Sequence, residues 1–183
     1  MNEHVVLVDE KNNPTGQADK YLVHSGDTPL HRGFSLFLFN QKGELLLQKR
    51  AASKKTWPNV WSNSVCGHPA SGESTQDAAK RRAMYELGIA IKSSDIHVIL
   101  EDYRYSYEHQ GVVENEICPV MVAFGEFEPK PNPLEVADTR WVGWQDFLDE
   151  IQTPNQYSEW CQEEAQLLQA NQQFNRLFTG HTT

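Results

Sequence analysis

The stretch at 61–69, Trp-Ser-Asn-Ser-Val-Cys-Gly-His-Pro, together with the helix predicted after it, constrains the fold of this chain most. It carries a thiol at Cys66 and an imidazole at His68, two residues apart. Ser74 is a favoured N-cap, and the helical run that follows stops at Gly88, which suits a C-terminal cap. The chain therefore contains a loop and a capped helix that hold several polar side chains at one place.

The spacing of polar residues through this loop and helix follows a recognisable pattern. In chain order, the residues that match this pattern are Gly67, Glu73, Arg81, Glu86, Gly88 and Ile89. This spacing is similar to the Nudix box, in which a loop and helix present carboxylates to a divalent cation that holds a diphosphate. Arg82 and Tyr85 depart from the box, because Nudix hydrolases usually carry Glu at these positions.

One family combines such a degraded box with an upstream Asn-Ser-Val-Cys-Gly-His-Pro. The chain resembles type I isopentenyl diphosphate isomerase over nearly its whole length, most strongly from His24 to Trp160. The resemblance implies a Nudix-type α/β/α sandwich with a mixed sheet. The order of the predicted strands and helices suits the same α/β (α+β) class.

The length of 183 residues is suited to one domain with a sizeable core. We expect a single domain over 1–183, with a Nudix core at about 29–163, an N-terminal strand extension at 1–28 and a C-terminal helix at 158–178. Strands are predicted at 5–9, 33–39, 44–49, 97–107, 112–124 and 139–142, a turn at 12–16, and a short helix at 145–151.

The composition limits the partners of the chain. Its net charge of −9 argues against nucleic-acid binding, and an anionic substrate would need a local basic cluster or a bound metal. No apolar run approaches the ~18 residues that span a membrane, and 1–4 lack a signal-peptide layout. Three cysteines favour a reducing compartment over a disulfide framework. We expect a cytoplasmic monomer or weak homodimer that binds neither nucleic acid nor a membrane.

Two carboxylates and three imidazoles are candidate metal ligands. Glu114 and Glu116 lie two apart in a predicted strand, so their side chains project from one face. An isolated Glu-x-Glu most often lies on a solvated sheet face, and a lone histidine is most often structural. The resemblance places the family's metal ligands at His24, His31, His68, Glu114 and Glu116. This set suits one octahedral Mn²⁺ ion, with Zn²⁺ or Mg²⁺ as alternatives.

The candidate catalytic residues are Cys66, Glu116, Tyr105 and Trp160. Cys66 could be a small buried hydrophobe, but it precedes a glycine and lies close to a candidate metal ligand. A structural zinc site formed with His68 would need a second pair of ligands at suitable spacing, which the sequence lacks. Tyr105 and Trp160 match active-site aromatics of the family, although Trp160 also fits the apolar face of a core helix.

The resemblance also implies a site for a diphosphate. In the family, the counterpart of Glu86 helps to hold a Mg²⁺ ion that also binds the diphosphate. Basic positions of the family that face the diphosphate are matched by Lys20, Arg50, Lys54 and Arg82. Each alone would be a solvated surface charge. Together they supply the positive charge that an acidic protein needs, and arginine suits bidentate phosphate contacts.

The implied reaction is the reversible conversion of isopentenyl diphosphate to dimethylallyl diphosphate. The double bond is protonated, and a proton is then removed from the tertiary carbocation that results. We assign the acid side to Glu116 with Tyr105 and the base to Cys66, and leave open which acts first. The π-face of Trp160 would stabilise the cation without attacking it.

Two other functions share part of this pattern. A Nudix-type diphosphate hydrolase would use the same fold and Mg²⁺, but Arg82 and Tyr85 remove two carboxylates that would activate water. A non-catalytic diphosphate- or metal-binding module would leave the combination of Cys66, Tyr105 and Glu116 without a purpose.

Overall fold

The computed structural model describes residues 4–153 and 156–182, so positions 1–3, 154–155 and 183 of the predicted domain lie outside the described residues. The strands are β1 His4–Val8, β2 Pro14–Asp19, β3 His31–Arg32, β4 Phe34–Phe39, β5 Glu44–Arg50, β6 Trp61–Ser62, β7 Val65–Gly67, β8 His97–Leu100, β9 Arg104–His109, β10 Val112–Ile117, β11 Val120–Phe124 and β12 Val136–Gly143. The helices are α1 Lys20–Val23, α2 Thr75–Leu87, α3 Trp144–Glu150, α4 Glu159–Ala170 and α5 Gln172–His181.

The strands form two mixed sheets. The first sheet has the order β2-β1-β3-β10-β9, and the second has the order β12-β5-β4-β11-β8, with β6 paired to β5 and β7 paired to β4. Within the first sheet β3 and β10 are parallel, and within the second β4 and β11 are parallel. The other pairings are antiparallel.

The second sheet separates two apolar clusters. Successive side chains of a strand point to opposite faces. Accordingly, Phe37 and Phe39 of β4 pack in one cluster with residues of α3, α4 and α5, whereas Leu36 and Leu38 pack in another with residues of α2. The predicted α/β/α sandwich with mixed pairing is confirmed. None of the described helices is both long and apolar enough to cross a membrane.

Two long predicted strands are wrong, because each is divided between the sheets. The range 97–107 is β8 and β9, and the range 112–124 is β10 and β11. Pro119 has no N–H for a ladder and restricts the residue before it, so the chain leaves one sheet here and enters the other. The predicted turn at 12–16 is also wrong in part, since β2 begins at Pro14 and pairs with β1.

The single C-terminal helix predicted at 158–178 is likewise wrong. Asn171 has an extended backbone, with φ −85° and ψ 123°, between α4 and α5. Its side-chain Oδ1 accepts hydrogen bonds from the backbone N–H groups of Gln173 and Phe174 at 2.8 and 3.1 Å. An asparagine that caps a new helix in this way ends the previous one. Because the apolar periodicity continues across this break, the sequence pattern did not predict it.

The capped helix that follows the central motif is confirmed as α2. Ser74 accepts a hydrogen bond from the backbone N–H of Asp77 at 3.1 Å, and Gly88 adopts a left-handed conformation with φ 66°. The Gly88 N–H donates to the Met84 carbonyl oxygen. A Cβ at Gly88 would also lie 3.1 Å from the Cβ of Lys130. Only glycine satisfies both demands easily.

We expect Gly88→Ala to lower the free energy of unfolding by about 1–2 kcal/mol, since a left-handed alanine is strained by that amount. Gly180→Ala is the control, because Gly180 lies in α5 with nothing within 4 Å of an added Cβ. That substitution should be neutral or stabilising, as alanine favours helix over glycine. Denaturant unfolding of both variants tests this, and equal effects would contradict it.

Candidate active site

Strand β10 places two carboxylates on one buried face of the first sheet. Glu114 and Glu116 are only 6% and 5% exposed, which confirms that they project together. Glu116 is paired across the sheet with His31 of β3 on one side and Tyr105 of β9 on the other. A Cβ on Gly33 would overlap the Glu116 carboxylate, so a glycine there leaves room for it. The register of three strands therefore assembles this part of the site.

Two histidines face these carboxylates through their Nε2 atoms. The Nδ1 atoms of His24 and His31 lie 2.8 and 2.9 Å from the carbonyl oxygens of Lys20 and Pro29. A carbonyl oxygen only accepts, so each Nδ1 carries a proton, and in the neutral imidazole each Nε2 then has a free lone pair. The two Nε2 atoms lie 3.0 and 3.9 Å from Oε2 of Glu114. None of these three atoms has a hydrogen-bond partner.

His68 completes a cluster of ligand atoms. Its Nε2 lies 2.8 Å from Oε1 of Glu116, and burial lowers the pKa of His68 to about 4. Donor atoms of His24, His31, His68 and Glu114 all lie within 4.8 Å of one another. Buried acceptors that face each other repel unless a cation lies between them. The cluster therefore suits a divalent metal ion.

Glu116 also belongs to a stack of aromatic rings. Its Oε2 accepts a hydrogen bond of 3.0 Å from the Tyr105 hydroxyl. Burial opposes ionisation, but the neighbouring rings of His31 and His68 hold the pKa of Glu116 well below its usual value. The ring of Tyr105 is stacked on Trp160 with centroids 5.7 Å apart and planes inclined by 20°. Both rings are buried and line the cavity, and Trp160 comes from α4.

Cys66 lies on β7, opposite Ser35 of β4. Its thiol donates a hydrogen bond to Oδ1 of Asn63 at 3.0 Å and lies 3.8 Å from the Ser35 hydroxyl. Burial raises the pKa of Cys66 to about 12, so the thiol keeps its proton at neutral pH. Cys66 is partly buried and packs against the apolar cluster that contains Phe37 and Phe39.

The basic candidates occur with a carboxylate that the sequence did not indicate. Glu135 forms ion pairs with both Lys54 and Arg82, the latter at 3.0 Å. The guanidinium carbon of Arg82 lies 4.9 Å from the centre of the Tyr85 ring, at one of the positions that depart from the Nudix box. Positive charge is thus held at one end of the site by Glu135.

Arg50 is tied mainly to the loop that follows β5. Its guanidinium donates to the carbonyl oxygens of Thr56 and Trp57 and to the Thr56 hydroxyl, at 2.7–3.2 Å. Its guanidinium carbon Cζ lies 5.7 Å from the centre of the Trp160 ring. Arg50 therefore orders this loop beside Trp160, in addition to facing the cavity.

Glu86, the remaining Nudix carboxylate, is buried and paired. Its Oε1 accepts two hydrogen bonds from Arg82, at 2.9 and 2.6 Å, and its Oε2 accepts one from Gln48 at 3.0 Å. The box of this chain therefore contains an arginine–glutamate pair at the place where hydrolases carry several carboxylates.

The candidate residues converge on one cavity of about 340 Å³. All of them except His31 and Glu86 line it: Lys20, His24, Arg50, Lys54, Cys66, His68, Arg82, Tyr105, Glu114, Glu116 and Trp160. The cavity has a basic end, a His–Glu cluster that could hold a metal ion, and an aromatic wall. Such a site can bind an anion and an apolar group together while it offers one protonated and one ionised acid.

The sequence analysis did not identify four polar residues that lie beside the site: Ser35, Asn63, Glu135 and Glu164. Asn63 is part of the central motif, and Glu164 follows Trp160 by four residues on the buried face of a helix, so both had a signal. Glu135 lies in a proline-rich loop and Ser35 in an apolar strand, where nothing in the local pattern indicates a role.

Comparison with known proteins identifies the family. The NUDIX domain family matches residues 29–161 of the chain, so the protein belongs to that family. Individual relatives identify a more specific family. It is 46% identical over 172 residues to an isopentenyl-diphosphate Delta-isomerase of Klebsiella pneumoniae subsp. pneumoniae, covering 93% of this chain and 92% of the relative. It is 50% identical over 164 residues to the Corynebacterium efficiens protein of the same name, covering 86% of each. The chain therefore belongs to the isopentenyl-diphosphate Delta-isomerase family.

Solved structures agree on the fold. A crystal structure from Deinococcus radiodurans covers 90% of this chain and 98% of its own, with a TM-score of 0.72 and 22% identity. A MutT protein from Methanosarcina mazei Go1 covers 81% of this chain and 94% of its own, with a TM-score of 0.61 and 18% identity. At these identities the likeness supports the Nudix fold alone.

The burial of the Glu164 carboxyl predicts a contribution to stability that depends on pH. It is fully buried, its Oε1 accepts from the Ser35 hydroxyl at 2.7 Å, and its Oε2 has no partner. Burial raises the pKa of Glu164 well above the ordinary value of 4.5. The folded protein therefore holds a proton that the unfolded chain releases, and this contribution to stability is lost as pH rises from 4.5 through the folded pKa.

We expect Glu164→Gln to gain stability relative to wild type as pH rises, by up to about 1.4 kcal/mol per pH unit. Thermal unfolding at pH 6 and pH 8 measures this, with the exposed Glu108→Gln as control. Parallel curves for wild type and Glu164→Gln would mean that Glu164 is ionised in the folded state.

Proposed function

We propose that this protein interconverts isopentenyl diphosphate and dimethylallyl diphosphate, a step of isoprenoid biosynthesis. Membership of the isopentenyl-diphosphate Delta-isomerase family supports the proposal. The observation that carries it is the convergence of Cys66, Glu116, Tyr105 and Trp160 on a single cavity with a basic end. The substrate is then a small prenyl diphosphate.

The reaction needs two proton-transfer groups in a site that excludes water. An unactivated alkene is a weak base, so a positioned acid must protonate its terminal carbon. A base must then remove a proton from the carbon nearer the diphosphate. We assign these tasks to Cys66 and Glu116, with the Tyr105 hydroxyl donating to Glu116. The stacked rings of Tyr105 and Trp160 shield the carbocation and offer it an electron-rich face.

The protonation states of these groups favour an order of events. Burial raises the pKa of the Cys66 thiol, whereas His31 and His68 keep Glu116 ionised despite burial. The thiol is then the first proton donor and the Glu116 carboxylate the acceptor. These roles are the reverse of those assigned from the sequence, where Glu116 was on the acid side, Cys66 was the base, and the order was left open.

The basic end of the cavity would hold the diphosphate. Lys54 and Arg82 lie there with Glu135, and Lys20 lines the same cavity. Because Glu135 already orders two of the cations, a diphosphate would meet side chains held in place. Arg50 acts both as a charge beside the cavity and as the tie that holds the loop of Thr56 and Trp57.

The unpartnered atoms of the His–Glu cluster fit a divalent cation. We propose that His24, His31, His68, Glu114 and Glu116 hold one Mn²⁺, Zn²⁺ or Mg²⁺ ion. When bound, the ion would polarise the adjacent Glu116 carboxylate. His24 and His31 are oriented for this by their Nδ1 bonds to backbone carbonyls, as metal-binding histidines usually are.

A second cation would accompany the substrate. We propose that Glu86 helps to hold a Mg²⁺ ion that arrives with the diphosphate, since magnesium commonly binds through one or two carboxylates and substrate phosphates. Glu86 now accepts hydrogen bonds from Arg82 and Gln48. Arg82, which now bonds to Oε1 of Glu86, also lines the cavity and would contact the diphosphate there.

The hydrolase alternative is not favoured. Hydrolysis would need carboxylates of the box to activate water, and Arg82 and Tyr85 occupy two of those positions in contact with each other. A binding module without catalysis would not need a thiol, a tyrosine and a glutamate around one cavity.

Isomerisation is tested with purified protein, isopentenyl diphosphate and Mg²⁺ in deuterated water, followed by NMR. We expect deuterium in the prenyl group with the diphosphate intact, because both steps exchange protons with the enzyme. Cys66→Ala and Glu116→Gln should each reduce turnover by about 100-fold or more. Cys161→Ala, at a buried thiol outside the cavity, is the control. Release of free phosphate would instead identify a hydrolase.

Metal content is tested by elemental analysis of the purified protein. We expect about one tightly held divalent ion per chain, since the site offers the donors of a single ion. His24→Ala combined with His68→Ala should lose the ion, while His97→Ala, on β8, should keep it. Equal metal content in all three proteins would remove the ion from the His–Glu cluster.

A further inference from the structure

Asn63 lies between β6 and β7, directly behind the cavity, and is fully buried. It is not a member of the Nudix-box pattern, and the proton-transfer chemistry described above does not use it. Its amide nevertheless makes five hydrogen bonds. Its Nδ2 end bonds to backbone groups, whereas its Oδ1 end bonds to side chains, and our inference rests on this difference.

The nitrogen end of the amide fixes its orientation. Nδ2 donates to the backbone carbonyl oxygens of Leu36 and Val65, at 3.3 and 3.1 Å. A carbonyl oxygen cannot donate, so an amide turned the other way would set three acceptors against one another. The network therefore determines which end of Asn63 faces the site. That end is the oxygen.

The oxygen end joins two residues of the proposed reaction. Oδ1 accepts from the Cys66 thiol at 3.0 Å and from the Trp160 indole Nε1–H at 3.3 Å, and also from the Ser62 hydroxyl at 2.9 Å. An indole N–H only donates, so this bond has one sense. Cys66 belongs to β7 and Trp160 to α4, which are separate elements of the fold. One acceptor atom thus links the thiol to the ring.

We propose that Asn63 is a positioning residue that sets the geometry of Cys66 relative to Trp160. This inference rests on the proposed function, since it gives Asn63 a role in that reaction. A proton donor and a cation-stabilising ring must both meet the same five-carbon group. A misplacement of about 1 Å can reduce a rate by about 100-fold. A shared, rigid acceptor prevents such a displacement.

The neighbouring Ser64 shows what a purely structural residue of this loop would do. It is also fully buried, but its hydroxyl donates to the Leu46 carbonyl oxygen at 2.5 Å and accepts from the Leu38 N–H at 2.8 Å. Both partners are backbone groups of the second sheet. Asn63 has two such backbone partners, and in addition two partners that line the cavity.

Asn63→Asp and Asn63→Leu separate these two kinds of contact. Asn63→Leu loses both donors to Leu36 and Val65 and the acceptor for Cys66 and Trp160, whereas Asn63→Asp keeps that acceptor and one O–H donor. A buried carboxyl that faces two carbonyls retains its proton and stays neutral. Asn63→Leu should lower kcat by about 100-fold with little change in KM, because the diphosphate is bound elsewhere in the cavity. Asn63→Asp should recover much of that loss.

Ser64→Ala is the matched control. It should lower the melting temperature and leave kcat near the wild-type value. Should Asn63→Leu fail to fold, Asn63→Ala takes its place, since it removes the same oxygen without adding an apolar branch. Equal kcat in Asn63→Asp and Asn63→Leu would overturn the proposal. A loss in Asn63→Leu no larger than that of Ser64→Ala would also overturn it.

A readout without activity distinguishes this proposal from the proposed function. The Nε1–H NMR signal of Trp160, assigned with Trp160→Phe, should move in Asn63→Leu and stay near its position in Asn63→Asp and Ser64→Ala. An unmoved signal in Asn63→Leu would overturn the contact itself. If wild-type protein converts no isopentenyl diphosphate, the proposed function fails, whatever the indole signal shows.

Discussion

The rest of the structure depends on one interaction, in which the Nε2 atoms of two histidines face a buried carboxylate. The backbone carbonyls of Lys20 and Pro29 hold the protons of His24 and His31 on Nδ1. Their Nε2 atoms then meet Glu114 as acceptor against acceptor. Such a group is unfavourable alone and favourable around a cation. The first sheet, which brings β3 against β10, is built around it.

This arrangement explains why the chain uses two sheets. The first carries the metal-ligand cluster with Glu116 and Tyr105, and the second carries Cys66 and packs against the Nudix helix. The break at Pro119 lets one run of chain contribute β10 to the first sheet and β11 to the second. The two groups to which we assign the proton transfers therefore come from different sheets and meet at one cavity.

Local patterns in the sequence predicted the parts of the fold that local chemistry determines. The caps Ser74 and Gly88, and the shared face of Glu114 and Glu116, follow from short-range rules. The breaks at Pro119 and Asn171 were not predicted, because apolar periodicity continues through both. At Asn171 a side-chain cap decides the boundary, and a periodicity argument does not include it.

The candidate site was predictable only where the family pattern names residues. Resemblance supplied the histidines and Cys66, and the fold brought them together. Glu135 could not be predicted, because its partners Lys54 and Arg82 come from separate parts of the chain and meet only after folding. The same is true of the shared acceptor at Asn63, which depends on α4 packing over β7.

The proton states of the site are consistent with a reversible reaction. In the order proposed above, Cys66 holds a proton before a forward turnover and Glu116 does not, as the raised pKa of the one and the lowered pKa of the other favour. Afterwards the states are exchanged, because one group has protonated the alkene and the other has accepted a proton from the cation. That exchanged state is the starting state for the reverse reaction. No side chain has to move between the two directions, so a rigid site, with Tyr105 bonded to Glu116 and Trp160 bonded to Asn63, serves both.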